Sequence, residues 1–477
     1  MMKRIFLPAI FALLNSVSFS QSGTQQLKID SVKNIVVDLF NKKDADGLYG
    51  IAGAAFRKEL SPETFKKISD ENLFPLGKIN ETKFESNKNN INKYKVTFQA
   101  VVLSMYISLD SADKLETFLF QPYKDDNAKK TIKPATTNPL VTAMDKKVDE
   151  VISPYINQLN SVGVSVGILK NGKAYFYNYG ETAKGNNKLP TENTIYEIGS
   201  ISKTFTAILL ADAVNSGKVK LDDPVNKYLP DSIGKLEYEG VPVTLKTLSN
   251  HSSGLPRLPS NLPLDGLNGL NPYKNYDVPA LFSFLKNYKL TRKPGEVYEY
   301  SNLAVGLLGT IMERVNKKPY EELLIEKILT PLQMNDTRIL MRKADSIKIA
   351  KGYDENGVPS SQWDFKALAG AGGIRSTVKD LVKYAAANIT CTNKNLNEAI
   401  QLTHTITFQP PAAKVALGWH IIKPGNDDVI FHNGGTGGFR TYLAINPAKK
   451  NAVVIFSNSA ISDDNEGNAL IKWLETQ

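Results

Sequence analysis

The chain has 477 residues, of which 42% are hydrophobic, and a net charge of +10. This length supplies enough apolar side chains for more than one buried core. The single cysteine, Cys391, excludes an intrachain disulfide framework, and we expect it to be a structural thiol. Because the positive charge is spread along the sequence, it favours a solvated surface over binding to nucleic acid or to an anionic cell envelope.

The first 20 residues have the pattern of a secretory signal peptide. Met1–Arg4 carry positive charge, residues 5–14 are apolar, and small residues precede the expected cleavage site near Ser20. The apolar run is much shorter than the roughly 20 residues that a membrane-spanning helix needs. No cysteine follows it to carry a lipid anchor. The segment therefore predicts export to the periplasm or the medium, without stable membrane insertion.

Residues 24–123 have the pattern of a small α+β module. Apolar residues at helical spacing between 32 and 40 predict one helix, and Ser61-Pro62 is a typical start for a second. Strand-like runs follow at residues 78–85, 94–109 and 114–122. The pattern resembles the cystatin-like or NTF2-like modules that precede some exported bacterial hydrolases. Residues 124–140, which are polar and contain prolines, predict a linker.

Residues 141–477 are predicted to form an α+β domain in which helices flank one antiparallel sheet and build a helical subdomain. Asn171-Gly172 lies between two strand-like runs and predicts a tight hairpin. The predicted strands are residues 163–170, 173–179, 417–422, 438–445 and 452–457, and the predicted outer helices are residues 145–159 and 465–474. Because strands come from both ends of the domain, we expect both ends to supply edges of a single sheet.

A serine and a lysine at i and i+3, Ser200 and Lys203, stand at the start of an apolar helix that is expected to end near Gly217. Residues at this spacing share a helix face. A lysine shielded from water there loses affinity for its proton and can help to activate the hydroxyl. The same spacing recurs at Ser111, Ser232, Ser283 and Ser376. None of these precedes a helix that is apolar on nearly all sides.

Tyr300 and Asn302 form a second candidate pair, directly before an apolar helix. A tyrosine close to a lysine can be held partly as phenolate, because the cation favours the charged form. Such a group can take the serine proton and return it to a leaving group. Asn302 offers a donor and an acceptor to the lysine and to a substrate amide. Tyr155 and Tyr273 match the same Tyr-x-Asn pattern but lie in a predicted helix and in a loop rich in Asn and Pro.

A glycine-rich stretch at a strand edge is the third candidate element. It contains His432, Asn433, Gly434, Gly435 and Thr436. Glycines let the backbone approach a ligand closely. Free N–H groups at a strand edge can stabilise an oxyanion, and one such donor changes the rate by about 10²–10³-fold.

Two other patterns predict no chemistry. Residues 163–167 match the Gly-x-Ser-x-Gly elbow of α/β-hydrolases, but the chain continues into a hairpin rather than a sharp turn into a helix. Ser165 is therefore predicted to be a strand residue. The four histidines, His251, His404, His420 and His432, show no metal-ligand spacing, and no phosphate-binding loop is present. We predict neither a metal nor another cofactor.

Together, the three motifs resemble those of the serine β-lactamase and penicillin-binding-protein superfamily, in its class C β-lactamase and DD-peptidase branch. Residues 248–256 and 372–377 resemble further motifs of that branch. The resemblance covers residues 140–477, with the motifs in the expected order. It implies a serine hydrolase that forms an acyl-enzyme.

The resemblance also implies a role for each motif residue. Ser200 would be the acylated nucleophile, and Lys203 and Tyr300 would shuttle its proton. Asn302 would orient the substrate amide. The oxyanion hole would consist of the backbone N–H groups of Ser200 and Gly435. The residues expected to contact substrate nearby are Asn433, Gly434 and Thr436.

His432 departs from the lysine, and Asn433 from the threonine, of class C β-lactamases. The resemblance implies that relatives with histidine there are DD-peptidases, D-aminopeptidases or esterases. A neutral imidazole offers a hydrogen bond but no fixed charge for a substrate carboxylate. Arg440 or Arg257 is the candidate for that role.

The sequence therefore predicts an exported serine hydrolase that acts on a peptide, amide or ester, including substrates derived from peptidoglycan. A D-amino-acid peptidase or an esterase is favoured over a class C-like β-lactamase. The alternative from another class is a penicillin-binding or sensing protein without turnover. The intact motifs at Ser200, Lys203, Tyr300 and Asn302 argue against that alternative.

Overall fold

The computed structural model describes residues 23–88, 90–98, 101–123, 130–131, 133–263, 271–411 and 413–477. The predicted signal peptide and part of the predicted linker lie outside these residues. The chain divides into two compact units, with the division between Asn127 and Ala128. Within the described ranges, no helix is both long enough and apolar enough to cross a membrane.

The N-terminal unit combines one long helix and three short ones with a four-stranded antiparallel sheet. The helices are α1 (Gly23–Asn41), α2 (Ala45–Gly50), α3 (Ala54–Glu59) and α4 (Pro62–Ile68), and the strands are β1 (Ile79–Lys88), β2 (Ile91–Phe98), β3 (Val102–Leu109) and β4 (Leu115–Pro122). The strand order is β1-β2-β3-β4. Phe40 of α1 packs edge-on against Phe74, Phe98 and Phe120, with ring centroids 5.5–5.7 Å apart. This aromatic cluster is the centre of the unit's own core.

The prediction of one strand over residues 94–109 was wrong. The structure has two strands there, β2 and β3, which pair with each other in antiparallel fashion. The Phe98 N–H donates to the Val101 carbonyl at 2.8 Å and closes the connection. The sequence between them contains no Gly, Pro, Asn or Asp, so it carries none of the usual turn signals.

The second unit is larger and contains the remaining helices and strands. Its helices are α5 (Ala143–Ile156), α6 (Ser202–Asn215), α7 (Leu245–Ser249), α8 (Val278–Asn287), α9 (Asn302–Asn316), α10 (Tyr320–Leu324), α11 (Ala369–Gly372), α12 (Val378–Ile389), α13 (Lys394–Thr403) and α14 (Asp464–Leu474). Its strands are β5 (Gly163–Lys170), β6 (Lys173–Gly180), β7 (Tyr196–Glu197), β8 (Glu237–Tyr238), β9 (Val241–Pro242), β10 (Arg375–Ser376), β11 (Lys414–Val415), β12 (His420–Ile422), β13 (Val429–Gly435), β14 (Arg440–Asn446) and β15 (Asn451–Ser457).

The main sheet of this unit has the order β11-β12-β13-β14-β15-β5-β6, and every pairing is antiparallel. One edge strand, β6, comes from the start of the unit and the other, β11, from its last quarter, so the prediction about the sheet edges is confirmed. Asn171 and Gly172 have φ values of 51° and 78° in the β5–β6 turn. Left-handed backbone at both central positions is what a type I′ hairpin requires.

Two apolar cores cover the two faces of the sheet. Helices α5 and α14 pack on one face, through Val148, Ile152, Leu470 and Ile471. The other face packs against a larger core that contains α6, α9 and α12. From Ser202 to Ala211, every residue of α6 is buried, so the prediction of a central, buried helix after the Ser-x-x-Lys motif is confirmed. The buried helix fixes the position of the turn that precedes it.

Candidate active site

Ser200 lies in a single 3₁₀ turn, Gly199–Ile201, that leads directly into α6. Gly199 has a φ of 52°, in the left-handed region that favours glycine. A Cβ atom at Gly199 would lie 2.7 Å from the backbone nitrogen of Gly435, so the position has no room for a side chain. Ser200 itself is partly exposed. The turn therefore presents the hydroxyl at the surface while β13 closes in beside it.

Lys203 is fully buried and points its amine back at this turn. Its Nζ lies 2.9 Å from Ser200 Oγ, 2.8 Å from Asn302 Oδ1 and 2.6 Å from the Ala371 carbonyl oxygen. Burial holds the pKa of the Lys203 ammonium well below its usual range, and the positive charge of Arg257 lowers that pKa further. Neutral Lys203 has two N–H donors for the two carbonyl oxygens, which leaves its lone pair directed at Ser200 Oγ.

Tyr300 hydrogen-bonds Ser200 and lies with its ring centroid 4.9 Å from Lys203 Nζ. Desolvation raises the pKa of Tyr300 to about 12, although the hydrogen bond to Ser200 and the Arg257 charge both act to lower it. The prediction that Tyr300 is held partly as phenolate was therefore wrong. The neighbouring amine gives up its charge on burial, and the remaining charge of Arg257 does not offset the desolvation of the phenol.

Asn302 is the first residue of α9, and Ser301 caps that helix by accepting the Ala304 N–H at 2.9 Å. The Asn302 backbone N–H donates to the Arg257 carbonyl at 3.0 Å. Its side-chain oxygen accepts from Lys203 and its amide also hydrogen-bonds Tyr273, which leaves one amide hydrogen as a donor for a ligand. The Ser301 cap and the bond to the Arg257 carbonyl together fix Tyr300 and Asn302 beside Lys203.

His432 lies on β13 and is buried. Its Nδ1 is 2.7 Å from the Asn433 carbonyl oxygen, which can only accept, so Nδ1 carries the hydrogen. Burial holds the pKa of His432 well below its usual range. The neutral ring therefore presents Nε2 as a bare acceptor, and Nε2 has no hydrogen-bond partner within the described residues.

The β13 edge beside Ser200 is open. Strand β12 pairs with β13 only as far as Phe431. On the other side, the Thr436 N–H donates to the Phe439 carbonyl at 3.1 Å, and hydrogen-bonded pairs alternate along an antiparallel ladder. The neighbouring pair, Gly435 with Arg440, is therefore the non-hydrogen-bonded kind, and the Gly435 N–H points to the open edge. That N–H faces the turn of Ser200, as an oxyanion hole requires.

Comparison with known proteins places this constellation in a family. Residues 148–475 match the family model described as Beta-lactamase. The chain belongs to the β-lactamase family. Members are serine hydrolases, and the resemblance predicted from the motifs is confirmed.

Its relatives include both β-lactamases and D-alanyl-D-alanine peptidases. A β-lactamase of Pseudomonas fluorescens is 30% identical over 351 residues, covering 66% of this chain and 94% of that protein. The D-alanyl-D-alanine-carboxypeptidase/endopeptidase AmpH of Escherichia coli (strain K12) is 30% identical over 321 residues, covering 63% and 81%. The solved structure of D-alanine carboxypeptidase AmpC from Burkholderia cenocepacia is 28% identical with a TM-score of 0.61, covering 70% of this chain and 99% of that one.

Within this β-lactamase-family site, two residues predicted to contact substrate face elsewhere. Neighbouring residues of a strand point to opposite faces, and Asn433 lies on the face opposite His432. Its amide donates to Asp464 of α14 at 2.9 Å. Thr436 is buried with its hydroxyl beside Glu197, where burial raises the pKa of the carboxyl and the Thr436 hydroxyl acts against that shift. Asn433 and Thr436, which were predicted to contact substrate, therefore do not direct their side chains into the site.

Gly434 contributes to the packing of the site. A Cβ atom there would collide with the Ile198 carbonyl and the Thr441 hydroxyl, which bond to each other at 2.9 Å. Glycine at 434 lets β13 approach the turn that carries Ser200.

Four aromatic side chains that the sequence did not assign to the site surround Tyr300. His251 lies 4.4 Å from the Tyr300 ring, between centroids, and accepts the Ser301 N–H at 3.1 Å. His420 bonds the Tyr298 hydroxyl at 2.7 Å and lies 5.4 Å from the His432 ring. Tyr273, rejected as a Tyr-x-Asn decoy, hydrogen-bonds Asn302. His251 belongs to the motif-like segment 248–256, which was the available signal for it.

Ser165 and Tyr155, the other residues that matched a catalytic pattern, lie away from the site. Ser165 is a buried residue of β5 whose hydroxyl lies 2.9 Å from the Tyr196 hydroxyl. Tyr155 is buried in α5 and donates to the Ile461 carbonyl at 2.8 Å. Among the described residues, no group of three or more His, Cys, Asp or Glu side chains is arranged to hold a metal ion.

Proposed function

We propose that this serine hydrolase is exported and acts through an acyl-enzyme at Ser200, on peptides that end in a D-amino acid or on related esters. Three features support the proposal: the neutral Lys203 beside Ser200, the open β13 edge and the similarity to AmpH. The basic and apolar residues at the N-terminus support export.

The observation that carries the proposal is the pattern of contacts of Lys203. Its two amine hydrogens are taken by Asn302 and Ala371, so its lone pair is the group that meets Ser200 Oγ. In the proposed acylation, Lys203 takes the serine proton as Ser200 Oγ bonds to the substrate carbonyl carbon. Tyr300 then donates its phenol proton to the departing nitrogen or oxygen, and the Lys203 ammonium restores the proton of Tyr300.

In the same proposal, the backbone N–H groups of Ser200 and Gly435 stabilise the oxyanion that forms on the substrate carbonyl. The Asn302 amide donates to the acyl-side carbonyl of the substrate. Water replaces the leaving group in the second half of the reaction and regenerates Ser200.

Histidine at 432, in place of the lysine of class C β-lactamases, favours a peptidase or esterase over a class C-like β-lactamase. Because neutral His432 presents a lone pair, a substrate carboxylate has to find its donors elsewhere in the site. The β-lactamase of Pseudomonas fluorescens, at 94% coverage, supports β-lactam hydrolysis as the second candidate.

The test is a direct comparison of two reactions by the same purified protein. We expect release of D-alanine from an N-acylated D-alanyl-D-alanine peptide, and turnover of benzylpenicillin at least about tenfold slower than that of the peptide. Ser200→Ala is the matched control and should abolish both. Faster turnover of penicillin than of peptide and ester would favour the second candidate.

A further inference from the structure

The site needs a positive group for an anionic substrate, and two obvious candidates do not supply one. His432 is neutral and presents only an acceptor. Lys203 is buried, with its pKa well below the usual range, and its two hydrogens as a neutral amine are taken by Asn302 and Ala371. A carboxylate placed near Ser200 would therefore meet lone pairs from both groups.

Arg440 is also in the wrong place. It lies opposite Gly435 on the paired strand. Two residues further along β14, and so on the same face, lies Tyr442, whose hydroxyl donates to Asn468 of α14. Its guanidinium therefore lies on the α14 face of the sheet, opposite His432. There it donates to the carbonyls of Thr436 and Phe439 at 3.3 and 3.2 Å.

Arg257 has the placement and the freedom that Arg440 lacks. Its guanidinium carbon lies 5.1 Å from the centroid of the Tyr300 ring, on the phenol that hydrogen-bonds Ser200. The residue is exposed, and no carboxylate of the described residues lies within ion-pair distance of it. Its charge also acts on Tyr273 and Tyr298, so it is directed at the cluster around Ser200.

The backbone holds Arg257 in register with the site. Its carbonyl accepts the N–H groups of Asn302 and Leu303 at 3.0 and 3.2 Å. The loop that carries the guanidinium is thus anchored to the first turn of α9, which also carries Asn302. An arginine fixed in this way presents a planar set of N–H donors that matches a carboxylate.

We propose that Arg257 binds a carboxylate on the leaving group of the substrate, such as the C-terminal carboxylate of a D-amino acid. Tyr300 is the group that protonates the leaving group, and Arg257 lies over its ring, so the two act on the same part of the substrate. The inference rests on the proposed function of Ser200 and specifies the substrates of that same site.

The test uses two thioesters of the same N-acylated D-alanine. One has thioglycolate as its leaving group, which carries a carboxylate, and the other has the neutral thioglycolamide. We expect the full-length protein to prefer the carboxylate. In Arg257→Ala, the ratio of kcat/KM for the anionic to the neutral thioester should fall by about 10- to 100-fold, the effect of losing a charge-assisted hydrogen bond. Arg257→Lys should fall between the two.

Arg440→Ala is the matched control, because it removes an arginine from the opposite face of the sheet and should leave the ratio unchanged. An equal loss on both thioesters in Arg257→Ala, or a wild-type ratio near unity, would overturn the assignment of Arg257 while leaving the function of Ser200 in place. If the wild-type protein and Ser200→Ala were equally inactive on both thioesters, the proposed function would fail, and the role of Arg257 with it. Thermal unfolding of each variant checks that the fold is intact.

Discussion

The Lys203 amine meets two groups that can only accept hydrogen bonds, the Asn302 side-chain oxygen and the Ala371 carbonyl. A charged ammonium would donate a third hydrogen to Ser200 and could not remove its proton. Burial disfavours that charged form. Whether Ser200 is activated as a nucleophile therefore depends on the protonation state of Lys203.

Replacing Lys203 by methionine gives an apolar side chain of similar length and removes the base. We expect the rate of Ser200 acylation to fall by about 10²–10⁴-fold, the usual contribution of a general base. Stopped-flow measurement with a chromogenic ester checks this. Acylation of Lys203→Met at the wild-type rate would show that another group removes the proton.

The pH profile follows from the same lysine. Activity requires neutral Lys203, so kcat/KM should rise with pH through the pKa of Lys203, which lies well below 10.5. Arg257→Gln removes a positive charge that disfavours the ammonium, so the pKa of Lys203 should rise and the acidic limb should move to higher pH. The phenol of Tyr300, with a pKa of about 12, stays protonated across this range. If the acidic limb of the kcat/KM profile for the neutral thioester stayed in place or moved to lower pH, this account would be contradicted.

Tyr300→Phe distinguishes good leaving groups from poor ones. A thiolate leaves without a proton, whereas an amine must be protonated, so the phenol matters most for amides. We expect peptide hydrolysis to fall by about 10²–10⁴-fold and thioester hydrolysis by at least tenfold less than that. Equal losses on both substrates would indicate that Tyr300 acts before the leaving group departs.

For single residues, the sequence predicted which side chains come together but not all of their protonation states or orientations. Ser200, Lys203, Tyr300 and Asn302 lie together as the motifs indicated. The phenolate prediction failed because a pKa depends on burial, which two residues far apart in sequence do not reveal. Asn433 was misplaced for a related reason, since the face it occupies depends on the register of β13.

The approach of β13 to the turn before α6 depends on three glycines. Gly199 and Gly435 meet at the open edge, and Gly434 fits against Ile198 and Thr441. A strand that moved away by the width of a methyl group would take the Gly435 N–H with it. The oxyanion site is thus a property of how two elements pack, rather than of any side chain.

Gly434→Ala tests this packing. The added methyl group collides with backbone at Ile198, so we expect a loss of about 1–3 kcal/mol in the free energy of unfolding, typical of overpacking. We also expect slower acylation, because the Gly435 N–H moves. Gly234→Ala is the control, since a Cβ at Gly234 meets nothing within 4 Å. Normal acylation and stability in Gly434→Ala would contradict the close approach.

Elements with a strong periodic or turn signal were predicted well. The β5–β6 hairpin carries Asn-Gly, and α6 is apolar on nearly all sides, so both could be located from the sequence. The β2–β3 connection has no turn residue and was merged into one strand. The sequence offered no physical signal at that point other than length.

The molecule as a whole has separate cores in its two units. The aromatic cluster around Phe40 belongs to the N-terminal unit, whereas every side chain described around Ser200 belongs to the second. The order of the main sheet required strands from both ends of the second unit, and the sequence pattern anticipated that arrangement. The residues on each face could not be predicted, because they depend on cross-strand register.

Phe40→Ala tests the independence of the two cores. Removing a buried phenylalanine typically costs about 3–5 kcal/mol, so we expect the N-terminal unit to unfold at a lower temperature. Acylation of Ser200 should keep its wild-type rate. Calorimetry and ester turnover on the full-length protein check both expectations, and a proportional loss of acylation would show that the N-terminal core supports the site.

The most direct test of the central claim is the intact mass of the purified protein during incubation with benzylpenicillin. The account predicts a covalent penicilloyl adduct, located on Ser200 by peptide mapping and absent in Ser200→Ala. The lifetime of the adduct then separates a penicillin-binding peptidase from a β-lactamase. An adduct on another residue, or one that persists in Ser200→Ala, would contradict the assignment of Ser200 as the nucleophile.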